Sequence, residues 1–135
     1  MPRHVIKMFD ELSNLHKKCF PNKPWSADDF RDLKKSGCEI IMSQNGFIVY
    51  RTVADEAEII TIGVDPETRR NGIASAMIRI IEKDVKNQGV KKIFLEVASN
   101  NIPAQKLYEN SGYTKVGLRP KYYDGVDAIL MAKDL

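Results

Sequence analysis

The sequence predicts an α/β fold, a mixed sheet flanked by helices. Three observations carry this. Short apolar runs bounded by turn residues recur along the chain, among them FIVYRTV, EIITIGV, KKIFLEV and DAILMA. Ile73, Met77, Ile80, Ile81 and Val85 instead fall at helical spacing. Asn45-Gly46, Asp65-Pro66, Gly89 and Gly112 punctuate these stretches where turns are needed.

RHVIKM reads as a short first strand. In FDELSNLHKKCF, Phe9, Leu12, Leu15, His16 and Cys19 then lie near one helical face. PNKPW breaks that helix, and Ser26 with Asp29 has the spacing of a capping box opening a second helix, ADDFRDL. CEIIMS is a strand, Asn45-Gly46 a hairpin turn, and FIVYRTV the returning strand. EIITIGV is a nearly all-apolar strand ended by Asp65-Pro66. A four-turn helix follows from Ile73 to near Gly89, with Ile80 on its apolar face. KKIFLEV is a buried-type strand. IPAQKLYENSG is a helix with Pro103 in its first turn and Gly112 at its stop. YTKVGL and DAILMA are the final strands. The order is β α α β β β α β α β β.

A chain of 135 residues fits one domain, 1–135, with one core. Hydrophobic residues at 43% and charged residues at 29% are an ordinary globular balance. The net charge of +3 suits an anionic ligand. The basic residues form scattered pairs rather than an aromatic-interleaved stripe, which argues against nucleic acid. Cys19 and Cys38 have no metal-type spacing and read as reduced structural thiols, the usage of a cytoplasmic protein. No signal-peptide stretch and no membrane-length apolar run is visible. His4 and His16 read as structural or surface residues.

Chemistry gathers in four places. TRRNGIASAM joins a strand, a turn and a helix start. Free N–H groups and the positive helix end therefore point outward together, Arg69 and Arg70 add charge, and Gly72 lets an oxygen approach the backbone. This suits a phosphorylated ligand; a basic turn capping a helix is the alternative. Gly63 interrupts a good strand, through close packing or through backbone pairing with a ligand that carries amides. Glu96 ends an apolar run. It is either a solvated strand-end carboxylate or, half buried, a general base. Tyr108 on an apolar helix face is either a core residue or a proton donor, and Asn101 either an N-cap or a ligand contact.

Together these residues resemble the GCN5-related N-acetyltransferase family. Its coenzyme motif, Arg/Gln-x-x-Gly-x-Gly/Ala, matches Arg69-Arg70-Asn71-Gly72-Ile73-Ala74 after ITIGVDP, with Ala74 at the second glycine position. LEVASNNIPAQKLYENSGY looks like the family's later strand and helix. Within the family the chain is most similar to the bacterial ribosomal-protein-alanine N-acetyltransferases, through PWS, DEAEIITIGVDP, LEV with LYE, and YY followed by DAILM. Ala98 stands where those enzymes commonly carry Arg.

The resemblance implies a mixed, mostly antiparallel sheet of about six or seven strands with about four helices. It implies acetyl-CoA as co-substrate and no metal. Ile62, Gly63 and Val64 would offer backbone to the pantetheine arm. Arg70, Asn71, Gly72, Ile73, Ala74 and Ser75, with the charge of Arg69, would wrap the pyrophosphate. Asn101 would contact the coenzyme, Glu96 act as base and Tyr108 as acid. Trp25, Tyr122 and Tyr123 would flank the peptide side. The implied acceptor is a protein N-terminus, a ribosomal protein among the candidates; a small amine, a lysine side chain, or a coenzyme-binding module without turnover are the alternatives. A monomer or weak dimer is expected.

Overall fold

The structure is a computed structural model describing residues 3–69, 71–123 and 125–135, except the side chains of 3–7 and 123. In chain order the elements are α1 (Arg3–Cys19), α2 (Ala27–Lys35), β1 (Glu39–Met42), β2 (Gly46–Val53), β3 (Glu56–Val64), a 3-10 turn (Pro66–Thr68), α3 (Ile73–Asn87), β4 (Lys92–Ala98), α4 (Ile102–Asn110), β5 (Thr114–Tyr123) and β6 (Val126–Asp134). The strands form a six-stranded sheet in the order β1-β2-β3-β4-β6-β5. β1–β2, β4–β6 and β5–β6 pair antiparallel, while β3 and β4 pair in parallel over Glu56–Ile59 and Lys92–Leu95. The predicted α/β fold, four helices with a mixed sheet, is what forms. Two compact units make up the chain: Met1–Tyr50 with Thr61–Met77, and Arg51–Ile60 with Ile78–Leu135.

In the first unit the expected initial strand is helix instead, the opening turns of α1. The spacing of Phe9, Leu12, Leu15 and Cys19 extends back to Val5, so one continuous helical stripe overrides the β-branched pair Val5-Ile6. The capping box forms as read: Asp29 N–H donates to Ser26 Oγ at 3.1 Å and Ser26 N–H to Asp29 Oδ2 at 2.8 Å. The hairpin turn is displaced by one residue. Ser43 N–H donates to the Gly46 carbonyl at 2.8 Å, so Gln44-Asn45 is the turn and Gly46 already belongs to β2. Packing selects that glycine: a Cβ there would lie 2.9 Å from Met77 Cε and 3.1 Å from the Gly63 carbonyl oxygen.

His16 is buried in this unit, accepting the Trp25 N–H on Nδ1 at 3.0 Å and stacking on the Trp25 ring at 4.7 Å. The side chain of His4 lies outside the described residues. Burial pushes the His16 pKa down to about 4, with the Asp29 charge pulling the other way. The unfolded chain therefore takes up this proton first as pH falls. Stability from neutral His16 is complete above about pH 6.5 and should drain away between there and pH 4, by at most roughly 3 kcal/mol. Urea midpoints at pH 7 and 5.5 test this. The wild type should lose stability over that interval and His16→Asn should not; equal slopes would contradict it.

In the second unit, Ile78, Ile81 and Val85 of α3 are buried with Ile59, Ile93, Leu95, Val97 and Met131. Ile80, expected on that face, is 53% exposed. It sits about 130° around the axis from the stripe its neighbours define. The Glu82 carboxylate accepts from Tyr113 Oη at 3.1 Å and pairs with Lys133 Nζ at 2.9 Å. Burial, then Glu82, pushes the Tyr113 phenol well above its usual range, so it stays a donor.

Candidate active site

The first unit carries the stretch read as the coenzyme site. Gly63, near the end of β3, is buried, and a Cβ there would stand 2.6 Å from Phe47 Cε1 and 3.1 Å from Cys19 Sγ. Close side-chain packing thus accounts for this glycine. Gly63→Ala should cost roughly 1–3 kcal/mol through that overlap; thermal melts against wild type check it. The Val64 carbonyl accepts from Arg69 Nε at 3.1 Å and from Cys19 Sγ at 3.3 Å. Arg69, expected to supply charge, thus lays its guanidinium against the end of β3. Cys19 and Cys38 are free thiols, and burial is the main cause raising that of Cys19. Asp65 caps the 3-10 turn through the Glu67 N–H at 3.0 Å. That bond first, and Lys18 among further causes, hold its carboxyl below the usual range.

Arg70 lies outside the described residues. Asn71 is exposed, and Gly72 takes φ +75° with nothing among the described residues within 4 Å of where a Cβ would stand. α3 starts at once with Ile73, Ala74 and Ser75, whose N–H groups precede the first intrahelical donor, Ala76 to Gly72 at 3.0 Å. A left-handed glycine leading into a helix N-terminus fits a phosphate group. Trp25, expected beside the acceptor, is stacked on His16 and lies 5.5 Å from Phe30.

The second unit carries the residues read as catalytic. Glu96 on β4 is neither free nor core: its side chain is 18% exposed, and its Oε1 lies 2.8 Å from Arg119 Nη2. Arg119 in turn places Cζ 4.8 Å from the centre of the Tyr122 ring. The structure so brings Glu96 and Tyr122, singled out separately, onto one guanidinium. Arg119 was not foreseen; the pairing depends on strand order, which periodicity does not report. Tyr108 is buried on α4, its ring edge-on to Tyr113 at 6.2 Å. Asn101 is the N-cap of α4, accepting the Ala104 N–H on Oδ1 at 3.2 Å, a bond that uses only the oxygen of its amide. The side chain of Tyr123 lies outside the described residues. Glu58 is held by Arg51 through Nη2 at 2.9 Å and Nε at 3.2 Å. Among the described residues no three His, Cys, Asp or Glu side chains gather as metal ligands would, and no helix is long and apolar enough to cross a membrane.

Known proteins resemble this chain in sequence and fold. The profile of the Acetyltransferase (GNAT) family matches residues 9–113. The ribosomal protein bS18-alanine N-acetyltransferase of Escherichia coli (strain K12) is 34% identical over 118 residues, covering 81% of this chain and 80% of that one. The crystal structure of the ribosomal-protein-S18-alanine N-acetyltransferase from Escherichia coli superposes with a TM-score of 0.81 at 26% identity, over 99% of this chain and 90% of that one. The putative streptothricin acetyltransferase of Bacillus anthracis, solved in complex with acetyl coenzyme A, is 28% identical with a TM-score of 0.63, over 67% and 56%. The chain belongs to the acetyltransferase (GNAT) family and is an acetyl-CoA-dependent N-acetyltransferase.

Proposed function

We propose that the acceptor is the N-terminal α-amine of a protein, acetylated by a single catalytic domain spanning 1–135. The observation that carries this is the 34% identity, over 81% of the chain, to an enzyme named for acetylating the alanine of a ribosomal protein. The chemistry favours the same acceptor. Only the neutral amine attacks a thioester. Deprotonating an α-amine at pH 7 costs on the order of 1 kcal/mol, against about 4.6 kcal/mol for a lysine. One carboxylate base suffices for the first.

In this reading the backbone of Ile62, Gly63 and Val64 and the turn from Arg69 through Ser75 hold acetyl-CoA, which supplies the thioester, and Asn101 adds a contact. Glu96 accepts the amine proton as the C–N bond forms and the carbonyl becomes a tetrahedral oxyanion; the C–S bond then breaks as the carbonyl re-forms, and Tyr108 gives a proton to the departing sulfur. An N–H of β3 is the candidate donor to the developing oxyanion. Trp25, Tyr122 and Tyr123 contact the acceptor. Incubation with acetyl-CoA and a panel of N-terminal peptides, lysine peptides and small amines tests the acceptor. Alanine-led peptides should be acetylated fastest; faster turnover of blocked lysine peptides or small amines would overturn the reading.

A further inference from the structure

Residues on one row of a sheet share a face, and residues two apart on a strand share it too. Register places Glu96, Leu130 and Gly117 on one row, and Ala98, Ala128 and Arg119 on the next row of the same face. β6 lies between β4 and β5, so Arg119 starts two strands from Glu96, roughly 10 Å away across the sheet. Their 2.8 Å ion pair therefore spans β6. The sequence leaves that path low: the β6 residue on Arg119's row is Ala128, and Gly117 stands beside Leu130 where a Cβ would come within 2.9 Å of Leu130 Cδ1.

A second feature holds the other end. Arg119 and Tyr122 are three apart, and in a regular strand they would point to opposite faces. Here the register breaks between Arg119 and Tyr123, and Lys121 takes φ +51°. A left-handed non-glycine residue costs roughly 1–2 kcal/mol and persists only where its surroundings hold it. The holder is Asp127, whose Oδ1 accepts the Lys121 N–H at 2.9 Å and whose carbonyl accepts the Ser99 N–H at 2.8 Å. The kink brings the Tyr122 ring under the guanidinium. The Arg119 side chain remains 51% exposed.

We propose that Arg119 is a positioning residue for the acceptor half of the reaction. It occupies Oε1 of Glu96 and so aims the carboxylate, leaving Oε2 for the amine proton. By stacking on Tyr122 it makes base orientation and acceptor contact depend on one side chain. The proposal rests on Glu96 as base and Tyr122 as acceptor contact.

The test is a set of variants assayed with acetyl-CoA and an alanine-led peptide: Arg119→Met, Arg119→Lys, Tyr122→Leu, Glu96→Gln, and Glu96→Gln with Arg119→Met. Arg119→Met should lower peptide kcat/KM roughly 10- to 100-fold while acetyl-CoA affinity, by calorimetry, and the melting temperature stay near wild type. Arg119→Lys keeps the charge without the planar stack and should recover part of the loss. Tyr122→Leu should lose less than Arg119→Met. In the double variant the Arg119 change should add to Glu96→Gln no more than the Tyr122→Leu loss, because its effect on the base runs through that carboxylate. Full multiplication of the two losses would overturn the proposal, as would Arg119→Met at wild-type rate beside an impaired Glu96→Gln. A Glu96→Gln enzyme at wild-type rate would instead remove the base assignment itself, and this proposal with it. Should Arg119→Met melt early, the Lys variant carries the comparison.

Discussion

Glu96→Gln should lower kcat/KM at pH 7 by roughly 10²–10⁴-fold, the range for loss of one general base. The substitution keeps the shape of the side chain and removes its ability to take a proton. Activity should recover in part toward pH 10, because an α-amine with a reference pKa near 8 is then already neutral. Tyr108→Phe gives the contrast. It keeps the ring against Tyr113 and removes only the proton, so its loss should persist at high pH, where the departing thiolate still lacks a donor. Profiles of kcat/KM from pH 6 to 10 for wild type and both variants, with melts as a folding control, separate the two roles. A Glu96→Gln enzyme as fast as wild type at pH 7 would pass the role to another carboxylate. Glu58, one row along the same face beside Phe94, is then the one to replace.

Gly72→Glu should leave a folded protein whose acetyl-CoA affinity falls at least roughly 100-fold. Among the described residues nothing lies within 4 Å of the new Cβ, so the fold pays only for a side chain at φ +75°, about 1–2 kcal/mol. Binding loses more. A carboxylate would stand at the entrance to the helix N-terminus that attracts phosphate, and like charges repel there. Gly72→Ala carries the same backbone strain without the charge and should bind far better than the Glu variant. Calorimetry on both, with melts, decides it. Unchanged affinity in a folded Gly72→Glu protein would remove this turn from the coenzyme site.

Local signals were legible where a short stretch settles its own structure. The Ser26–Asp29 box, the stop of β3 at Asp65-Pro66 and the start of α3 after Gly72 each rest on residues within four positions of one another. The misreadings arose where packing chose between local options. Val5-Ile6 favours a strand locally but lies in the opening turns of α1. Asn45-Gly46 has turn chemistry, yet Gly46 is held by Met77 and the Gly63 carbonyl. Ile80 is apolar but faces outward. In the candidate site, Glu96 was visible as an odd carboxylate in an apolar run. Its partner was not, because Arg119 is 23 positions away and reaches it only through the order of three strands.

That strand order also has a kinetic side. β6 is synthesised after β5 yet lies between β5 and β4, so β5 has no place on the growing sheet until β6 exists. Until β6 pairs with it, β4 has one edge unpaired. An open apolar edge is a template for another chain. During that interval the nascent protein is exposed to aggregation at IFLEV. The β5–β6 hairpin, whose partners are close in sequence, is best assembled first and docked as a unit. A chaperone bound over β4 would protect that edge until the hairpin docks.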